Sequence, residues 1–314
     1  MSNSASSFTG VSSGYTAGTP VPADSPIRDN IADAVRRVRE TTPLAQSFTN
    51  FVTINLVANA QLAAGGTAAM SFLPDDVIET AKIAGANYIN VGTLLPFYKD
   101  ALPEIDQRLN YLDKPWVLDP VAAGIGRTRT AILQAFKAAP PTMIRANASE
   151  VIALANMWGL NTETVGDASE HRPAGVESVD DVESATGAAV ALAQYLTEQH
   201  AKHSSHDAST RCAVAVSGIA DLVTDGETVY RLPGGSAMMT KITGAGCSLG
   251  GVAATYLAVS DPLTAALSAS LLYNRAGEVA DTTSHGPGSF QVAFLDALWN
   301  VTAEQVAKSE ILVQ

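Results

Sequence analysis

The chain has 314 residues, 46% of them apolar and 16% charged, so it can bury a substantial core and is not disordered overall. Its formal net charge of −12 argues against a surface for nucleic acids or anionic membranes. It has two cysteines, Cys212 and Cys247, which do not make a disulfide framework.

Residues 1–25 are rich in Ser, Gly, Thr and Pro, a composition that predicts a flexible tail. They lack the basic and apolar regions of a secretory signal, and no uninterrupted apolar run in the chain reaches membrane-spanning length. We therefore expect a cytoplasmic protein.

From residue 26 onward, short apolar runs alternate with stretches of helical periodicity. The runs that predict strands are 45–48, 68–72, 88–91, 116–118, 143–145 and 213–216. The stretches that predict helices are 52–64, 75–84, 100–112, 128–138, 149–157 and 182–198. This alternation indicates an α/β fold with a mostly parallel central sheet covered by helices.

Two segments, 159–180 and 199–211, interrupt the alternation and are interpreted as loop insertions in a single domain that spans 26–310. The second contains His200, His203 and His206. Because no predicted element fixes their geometry, we expect a solvated surface loop here and not a metal site.

The last third of the chain begins with a predicted hairpin over 220–232, with Asp225 and Gly226 at its turn. The remainder, from residue 247 to about 307, predicts three helices. Cys212 lies in a buried-strand pattern, and a free cysteine there is expected to be a packing residue.

Polar residues follow several predicted strands, at the sheet edge where parallel α/β proteins bind ligands. Asp119 can hold Mg²⁺ directly or through water, or serve as a turn residue or helix cap. Asn147 and Glu150 have the i, i+3 spacing of a metal-ordering pair, and equally that of a helix cap. Arg145 can pair with a phosphate through two hydrogen bonds.

The sequence TKITGAGCSLGG, residues 240–251, combines a small flexible turn with an apolar helix expected from Ser248 onward. Such a turn at a helix N-terminus is suited to an anion. Gly250 and Gly251 form helices poorly, which indicates close approach of another chain segment or a ligand.

Six motifs occur in the order TNFVTINLVANAQLAAGGTAAM, INVGTL, LDPVAAG, IRANASE, TKITGAGC and HGPGSFQVAFLDALW. Together they resemble the hydroxyethylthiazole kinase family over about residues 26–305. The resemblance implies a ribokinase-like three-layer fold and a homotrimer with active sites at subunit interfaces. It also implies transfer of the γ-phosphoryl group of ATP, with Mg²⁺, to the hydroxyl of 4-methyl-5-(2-hydroxyethyl)thiazole, a salvage step for thiamine.

Carried onto this chain, the resemblance assigns roles to individual residues. The thiazole contacts are expected from Asn50, Val52, Thr53, Met70, Gly92, Thr93 and Gly244. Nucleotide is expected at Arg145, Asn147 and Ser217, and Mg²⁺ at Asp119 and Glu150. Transfer is expected at Gly244, Ala245, Gly246 and Cys247.

The chain departs from the family pattern at two positions in the nucleotide motifs. Ala146 stands where the family usually has glycine, which would place a methyl group beside the nucleotide. Ile219 stands where it usually has glutamate, which removes a carboxylate. These departures bear on nucleotide affinity and metal handling, and not on the reaction class.

Cys247 stands where related sugar kinases carry an aspartate. A thiol, with an ordinary pKa of about 8.5 that falls at a helix N-terminus, can act as a base or position the alcohol. Alternatively Cys247 packs beside the site while water takes the proton, or it is a covalent nucleophile. Other functions compatible with the motifs are a ribokinase-fold kinase for another alcohol, such as hydroxymethylpyrimidine, and a non-catalytic regulator that binds thiazole or nucleotide.

Overall fold

The computed structural model describes residues 18–160, 182–203 and 210–314. Its strands are Thr19–Pro20 (β1), Leu44–Phe48 (β2), Thr67–Met70 (β3), Ala86–Asn90 (β4), Trp116–Asp119 (β5), Met143–Asn147 (β6), Ala213–Ser217 (β7), Ala220–Thr224 (β8), Val229–Pro233 (β9) and Leu312–Val313 (β10). Its α-helices are Pro26–Thr41 (α1), Ile54–Ala63 (α2), Pro74–Ile83 (α3), Tyr98–Tyr111 (α4), Arg127–Ala135 (α5), Ala148–Met157 (α6), Thr186–His203 (α7), Ala245–Leu257 (α8), Pro262–Thr283 (α9), Pro287–Asn300 (α10) and Ala303–Ala307 (α11). A short 3₁₀ helix, Ala237–Lys241, precedes α8.

All ten strands belong to one sheet, in the order β1-β10-β9-β8-β7-β6-β5-β4-β2-β3. The six strands from β3 to β7 pair in parallel, and the other four pair antiparallel at the far side. Parallel strands need crossover connections, which the helices supply. The predicted mostly parallel sheet is therefore confirmed.

Helices cover both faces of this sheet and enclose two hydrophobic cores. One core lies between the sheet and α3 to α7, and the other lies between the sheet and α1, α2 and α8 to α11. Successive side chains of a strand alternate between these cores, as Tyr88 and Ile89 of β4 do. The result is the expected three-layer α/β architecture.

Part of the segment 1–25, which was predicted to be a flexible tail, belongs to the sheet. Thr19–Pro20 pairs with Leu312–Val313, beyond the expected domain end at residue 310. The side chain of Arg28 strengthens this contact between the N-terminal and C-terminal segments, because its Nη1 donates to the carbonyl oxygen of Ser309 at 2.9 Å. Residues 1–17 lie outside the described part of the chain.

The predicted loop 199–211 is helical at its start, because α7 continues to His203. The ring of His200 lies 3.1 Å from the carbonyl oxygens of Pro140 and Pro141, which holds this end of α7 against the domain. His206 and residues 161–181, most of the other predicted insertion, lie outside the described residues. Within the described ranges, no three His, Cys, Asp or Glu side chains cluster as metal ligands do.

The C-terminal third confirms the predicted hairpin as β8 and β9. At its turn, Gly226 has a φ of +90°, and Asp225 Oδ1 accepts hydrogen bonds from the N–H groups of Glu227 and Thr228. The expected three helices are four, since the short α11 follows α10. No helix in the described ranges combines the length and apolarity that crossing a membrane requires.

Candidate active site

The last side chains of three central strands lie under the same helix. Tyr88 of β4 belongs to the core beneath α8, and the two-residue period of a strand puts Asn90 on the same face. Asp119 of β5 and Arg145 of β6 also lie on this side, in contact with one another. Because β4, β5 and β6 are parallel, their carboxyl ends meet beside the N-terminus of α8.

The glycine turn forms that N-terminus. Gly244 has a φ of +92°, and a Cβ there would lie 2.7 Å from Cγ2 of Thr53. Helix α8 begins at Ala245, three residues before the expected start at Ser248. Its first N–H groups have no acceptor within the helix and form the positive end of its dipole. The turn can therefore receive an anion, as expected.

Three further glycines let α8 approach its neighbours closely. A Cβ on Gly246 would lie 2.6 Å from Nη1 of Arg145, and one on Gly250 would lie 2.3 Å from Cε2 of Tyr88. Gly251 meets α2 in the same way. The inference of close approach at Gly250 and Gly251 is confirmed, and the partners are protein side chains.

Asp119 is fully buried at the centre of this edge. Its Oδ2 accepts hydrogen bonds from the Tyr88 hydroxyl at 2.9 Å and from Asn90 Nδ2 at 3.1 Å. Burial raises the pKa of Asp119, against the opposing charge of Arg145 and these two hydrogen bonds. Its other oxygen, Oδ1, is buried without a hydrogen-bond partner among the described residues. A buried carboxylate oxygen in that condition fits a bound cation.

Arg145 connects Asp119 to β7. Its Nη1 lies 3.7 Å from Asp119 Oδ2, and its Nη2 donates to Ser217 Oγ at 2.7 Å. Burial alone lowers the pKa of Arg145, but the charges of Asp119 and Glu150 raise it above its ordinary value. The guanidinium group is thus a fixed cation that can bind phosphate oxygens.

Asn147 and Glu150 form a capping box at the start of α6. Asn147 Oδ1 accepts from the N–H of Glu150 at 2.9 Å, and Glu150 Oε2 accepts from the N–H of Asn147 at 3.0 Å. Glu150 Oε1 also accepts from the N–H of Ala122 at 2.9 Å. Burial, followed by the charge of Asp119, raises the pKa of Glu150 to about 7. The capping interpretation of this pair is therefore the one that the structure shows, and a water-mediated role toward a metal stays a prediction.

Cys247 lies in the first turn of α8, but its environment does not favour a thiolate. Burial and the charge of Asp119 raise the pKa of the thiol to about 11, and the nearby polar groups of Thr53 and Asn90 and the charge of Arg145 oppose this only in part. The expectation of a pKa lowered by the helix N-terminus is wrong. Desolvation and a neighbouring carboxylate raise it instead.

Asn50 joins the thiol to the sheet edge. Its Nδ2 lies 3.5 Å from Cys247 Sγ and 3.0 Å from Asn90 Oδ1, and its Oδ1 accepts from the N–H of Val52. The side chain is buried. Asn50 is consequently fixed in orientation between Cys247 and the end of β4.

The remaining expected thiazole contacts surround Asn50 on a more open part of the surface. Thr53 is buried, Met70 is half-buried on the edge strand β3, and Val52 and Thr93 are exposed. Gly92 follows Asn90, which accepts the Gly92 N–H at 2.9 Å. The structure brings these residues to one end of the sheet edge and leaves that end open to solvent.

The opposite end of the same edge, where the nucleotide is expected, adjoins a cavity of about 440 Å³ between β9, α9 and the C-terminal segment. Pro233 and Asn274 line it, and Pro233 pairs with Ala220 beside the Ser217 turn. Asp221 stabilises that turn, because its Oδ1 accepts from the N–H of Gly218 at 2.9 Å.

Ala146 and Ile219, the two departures from the family pattern, lie in different surroundings. Ala146 is fully buried in the core opposite α8, because it follows Arg145 in β6 and strand side chains alternate. The expectation of a methyl group beside the nucleotide is therefore wrong. Ile219 is 83% exposed in the turn between β7 and β8, so its side chain extends into solvent.

Sequence reasoning did not assign Tyr88 or Asn90 to the site. Both lie in a strand that was recognised by its apolar residues, and their polar groups become visible only when every second residue is followed to the strand end. That two-residue period, ending at INVGTL, is the signal that could have found them.

Comparison with known proteins gives a consistent result. A model of the "Hydroxyethylthiazole kinase family" matches residues 35–304. The chain belongs to that family. It is 99% identical over its whole length, and over the whole of the relative, to a hydroxyethylthiazole kinase of Bifidobacterium longum (strain DJO10A). It is 39% identical over 90% of the chain and 93% of the relative to a hydroxyethylthiazole kinase of Clavibacter sepedonicus.

Solved structures support the same assignment. A hydroxyethylthiazole kinase protein from Pyrococcus horikoshii OT3 has a TM-score of 0.76 at 28% identity, covering 91% of this chain and 99% of that one. The pyridoxal kinase from Staphylococcus aureus, in complex with ADP, has a TM-score of 0.54 at 14% identity over 86% of this chain and 97% of its own, a likeness of fold alone. The ribokinase-like fold, the enzyme class and the family implied by the six motifs are confirmed.

Proposed function

We propose that this chain transfers the γ-phosphoryl group of ATP to the hydroxyl of 4-methyl-5-(2-hydroxyethyl)thiazole at the sheet edge beneath the N-terminus of α8. The observation that carries the proposal is the convergence of an anion-binding turn, Gly244 to Gly246, with a buried cation, Arg145, and a buried carboxylate, Asp119. Phosphoryl transfer requires mainly this kind of alignment and charge stabilisation.

The first N–H groups of α8 stabilise the charge on the transferring group. They belong to Ala245, Gly246 and Cys247, and they are fixed because α8 packs tightly on Tyr88 through Gly250. Donors that are already oriented need no rearrangement as charge develops, which makes them more effective than water.

Asp119 is the proposed magnesium ligand, through its Oδ1, with Glu150 acting through water. The fit rests on the buried, unpartnered state of Oδ1 and on the preference of Mg²⁺ for carboxylate oxygens and water. When bound, the metal neutralises the β- and γ-phosphate oxygens. Both oxygens of Glu150 already accept backbone N–H groups, so its contribution is the weaker one.

The nucleotide phosphates are proposed to bind Arg145 and Ser217, with Asn147 at the start of α6. Nη2 of Arg145 donates to Ser217 Oγ at 2.7 Å, so the guanidinium group and the hydroxyl lie side by side. Beyond Ser217 the cavity beside Pro233 has room for the sugar and base of the nucleotide.

Cys247 is proposed to position the alcohol and not to remove its proton. With a pKa of about 11, the thiol stays protonated at neutral pH. Its sulfur accepts from Asn50 and can form a hydrogen bond with the substrate hydroxyl. In a late proton transfer, the alcohol proton passes to water or to a phosphoryl oxygen. A covalent phosphocysteine is unnecessary, because direct in-line transfer balances without it.

A homotrimer is proposed to complete the thiazole pocket. Apolar side chains are exposed around the open end of the site, namely Phe51, Val52, Leu73 and Phe97. Phe51 contacts Phe72 with ring centroids 4.8 Å apart, so this patch packs directly on the domain. A second subunit over this patch would bury it and exclude water from the transfer centre. The proposed location of the enzyme is the cytoplasm, where ATP is available.

The test is incubation of the purified chain with Mg·ATP and hydroxyethylthiazole, with thiazole phosphate followed by mass. Hydroxymethylpyrimidine is offered in parallel as the competing alcohol. Preferential formation of thiazole phosphate is expected. Tight thiazole binding without product would instead indicate a regulator, and faster phosphorylation of the pyrimidine would reassign the substrate.

A further inference from the structure

The amide of Asn90 connects the two halves of the site. Its Oδ1 accepts from Asn50 Nδ2 at 3.0 Å and from the N–H of Gly92 at 2.9 Å. Its Nδ2 donates to the Tyr88 hydroxyl at 2.9 Å and to Asp119 Oδ2 at 3.1 Å. All four hydrogen-bonding positions of the amide are used, while the side chain is 2% exposed.

The partners fix the orientation of this amide. The backbone N–H of Gly92 can only donate, so it must face the amide oxygen. The carboxylate of Asp119 accepts, so it must face the amide nitrogen. A flipped amide would set a donor against a donor and an acceptor against an acceptor in a buried site, at the cost of two hydrogen bonds.

The two ends of this network serve different proposed tasks. On one side are Asn50, which reaches Cys247 Sγ, and Gly92, both expected thiazole contacts. On the other side, Tyr88 and Asn90 saturate Oδ2 of Asp119, so that Oδ1 is the oxygen left for a cation. The network thereby joins the chain segments that follow β2, β4 and β5.

We propose that Asn90 is a positioning residue that holds the alcohol pocket and the metal carboxylate in one fixed arrangement. This inference rests on the proposed function. Asn90 touches neither substrate. It orients Asn50 toward the thiazole and orients Asp119 toward the magnesium ion of the nucleotide. In-line transfer requires the two bound substrates to be held at a fixed distance and angle, because small misplacements lower the rate strongly.

The test measures each half of the site without turnover. Calorimetry gives the affinity for hydroxyethylthiazole in the absence of nucleotide, and electron paramagnetic resonance of Mn²⁺ gives the affinity for Mn·ADP in the absence of thiazole. Asn90→Ala is expected to weaken both affinities at least tenfold. Tyr88→Phe removes the hydrogen bond to Asp119 and the one that the hydroxyl accepts from Asn90 Nδ2, but it leaves both contacts of Asn90 Oδ1 in place. It is therefore expected to weaken Mn·ADP threefold or more and leave thiazole affinity unchanged.

Asn87→Ala is the matched control. Asn87 is also a buried asparagine of β4, but it faces the other side of the sheet near the strand start, where its Nδ2 donates to the Pro115 carbonyl oxygen at 3.3 Å. It is expected to lower the unfolding temperature while both affinities stay within twofold of the unaltered chain. If Asn90→Ala does not fold, Asn90→Ser keeps one polar group in the same space and is expected to weaken both affinities at least fivefold.

Two results would overturn the inference. One is a folded Asn90 variant that binds both ligands within twofold of the unaltered chain. The other is an Asn87→Ala variant that loses both affinities as strongly, which would make the loss a general effect of instability. An unaltered chain that makes no thiazole phosphate would refute the proposed function instead, so the two failures are distinguishable.

Discussion

Nη1 of Arg145 lies 3.7 Å from Oδ2 of Asp119 in the interior of the protein, and this ion pair forms the floor of the candidate site. Both groups are almost inaccessible to solvent, so neither charge is screened by water. The pair leaves Oδ1 of Asp119 and the Nε atom of Arg145 without partners among the described residues. A cation and a phosphate can therefore bind next to each other without breaking the pair.

Asp119→Asn is expected to lower kcat by about a hundredfold or more, because it removes the charge that binds the metal and leaves Arg145 without its counter-ion. The measurement is the rate of thiazole phosphate formation across a range of Mg²⁺ concentrations. Asp106→Asn is the control, since Asp106 is equally buried but lies in α4. Equal losses in both variants would contradict a metal role for Asp119.

Gly246→Ala is expected to impair nucleotide use, because its Cβ would lie 2.6 Å from Nη1 of Arg145 and displace the guanidinium group. An increase of about tenfold or more in the KM for ATP is the expected result. Gly288→Ala is a matched control: Gly288 is likewise the second residue of a helix, and an added Cβ there meets no atom within 4 Å. That variant should keep its KM, and its stability should be unchanged or slightly higher.

The role of Cys247 can be tested through the pH dependence of kcat. If the thiolate were the base, kcat would rise about tenfold per pH unit from pH 6 to pH 9, because the pKa of the thiol is about 11. We expect no such rise attributable to Cys247. Cys247→Ala should lower kcat with little change in thiazole affinity, and Cys247→Asp should stay active.

The control for Cys247 is Cys212→Ala, which alters a buried packing thiol immediately before β7. It should affect stability and not kcat. A pH profile that flattens when Cys247 is replaced by alanine would contradict the positioning role and restore the base.

Asp106 predicts how stability depends on pH. Burial raises its pKa from 3.8 to about 7, so between these values the folded state binds more protons than the unfolded state. Stability contributed by this group is therefore present at low pH and lost as pH rises toward 7, by about 4 kcal/mol in total. Asp106→Asn should raise the free energy of unfolding at pH 8 and change it little at pH 4, as measured by urea titration.

Asp100→Asn, at an exposed position of the same helix, is the comparison for Asp106 and should not raise the free energy of unfolding at pH 8. Glu150 and Asp221 also have raised pKa values, of about 7 and about 6, so a fall in stability with pH persists in the Asp106 variant at smaller amplitude. If stability fell with pH as much in the Asp106→Asn variant as in the unaltered chain, the raised pKa of Asp106 would be contradicted.

The proposed trimer can be tested at Leu73, which is 62% exposed and belongs to the exposed apolar patch with Phe51, Val52 and Phe97. Leu73→Asp should reduce the mass in sedimentation and weaken thiazole binding, because a charge opposes burial of that surface. Ile83→Asp, at the other end of α3 and 76% exposed, should change neither. Dissociation without loss of thiazole affinity would show that the pocket is complete in one subunit.

Most of the fold could be predicted from local pattern. The apolar runs 45–48, 116–118 and 213–216 were recognised as strands because period and length suffice for buried parallel strands. The two-residue strands β1 and β10 could not be, since they are held by each other and by β9 and not by any preference of their own sequence. The end of α7 was missed for the same reason: His200 is fixed by Pro140 and Pro141, which are distant in sequence.

The candidate site shows the same difference between features fixed by local sequence and features fixed by distant residues. Gly244 and Asp119 could be predicted because a turn before a helix and a carboxylate after a strand are local features. The high pKa of Cys247 could not, because it depends on burial and on Asp119, a residue of another strand. Glu150 shows the intermediate case: its spacing from Asn147 predicted both a cap and a metal pair, and only the hydrogen bonds identify the cap.

The close packing of α8 on Tyr88 through Gly250 restricts the positions at which substitutions can change the alcohol that the enzyme accepts. It fixes the helix N-terminus against Asp119, so the transfer chemistry belongs to a rigid unit of helix and sheet. The proposed thiazole side is built instead from the exposed segments around Val52 and Thr93, which carry little of the packing. Substitutions in those segments can select a new alcohol, whereas a single methyl group on Gly250 would disable transfer to every alcohol alike.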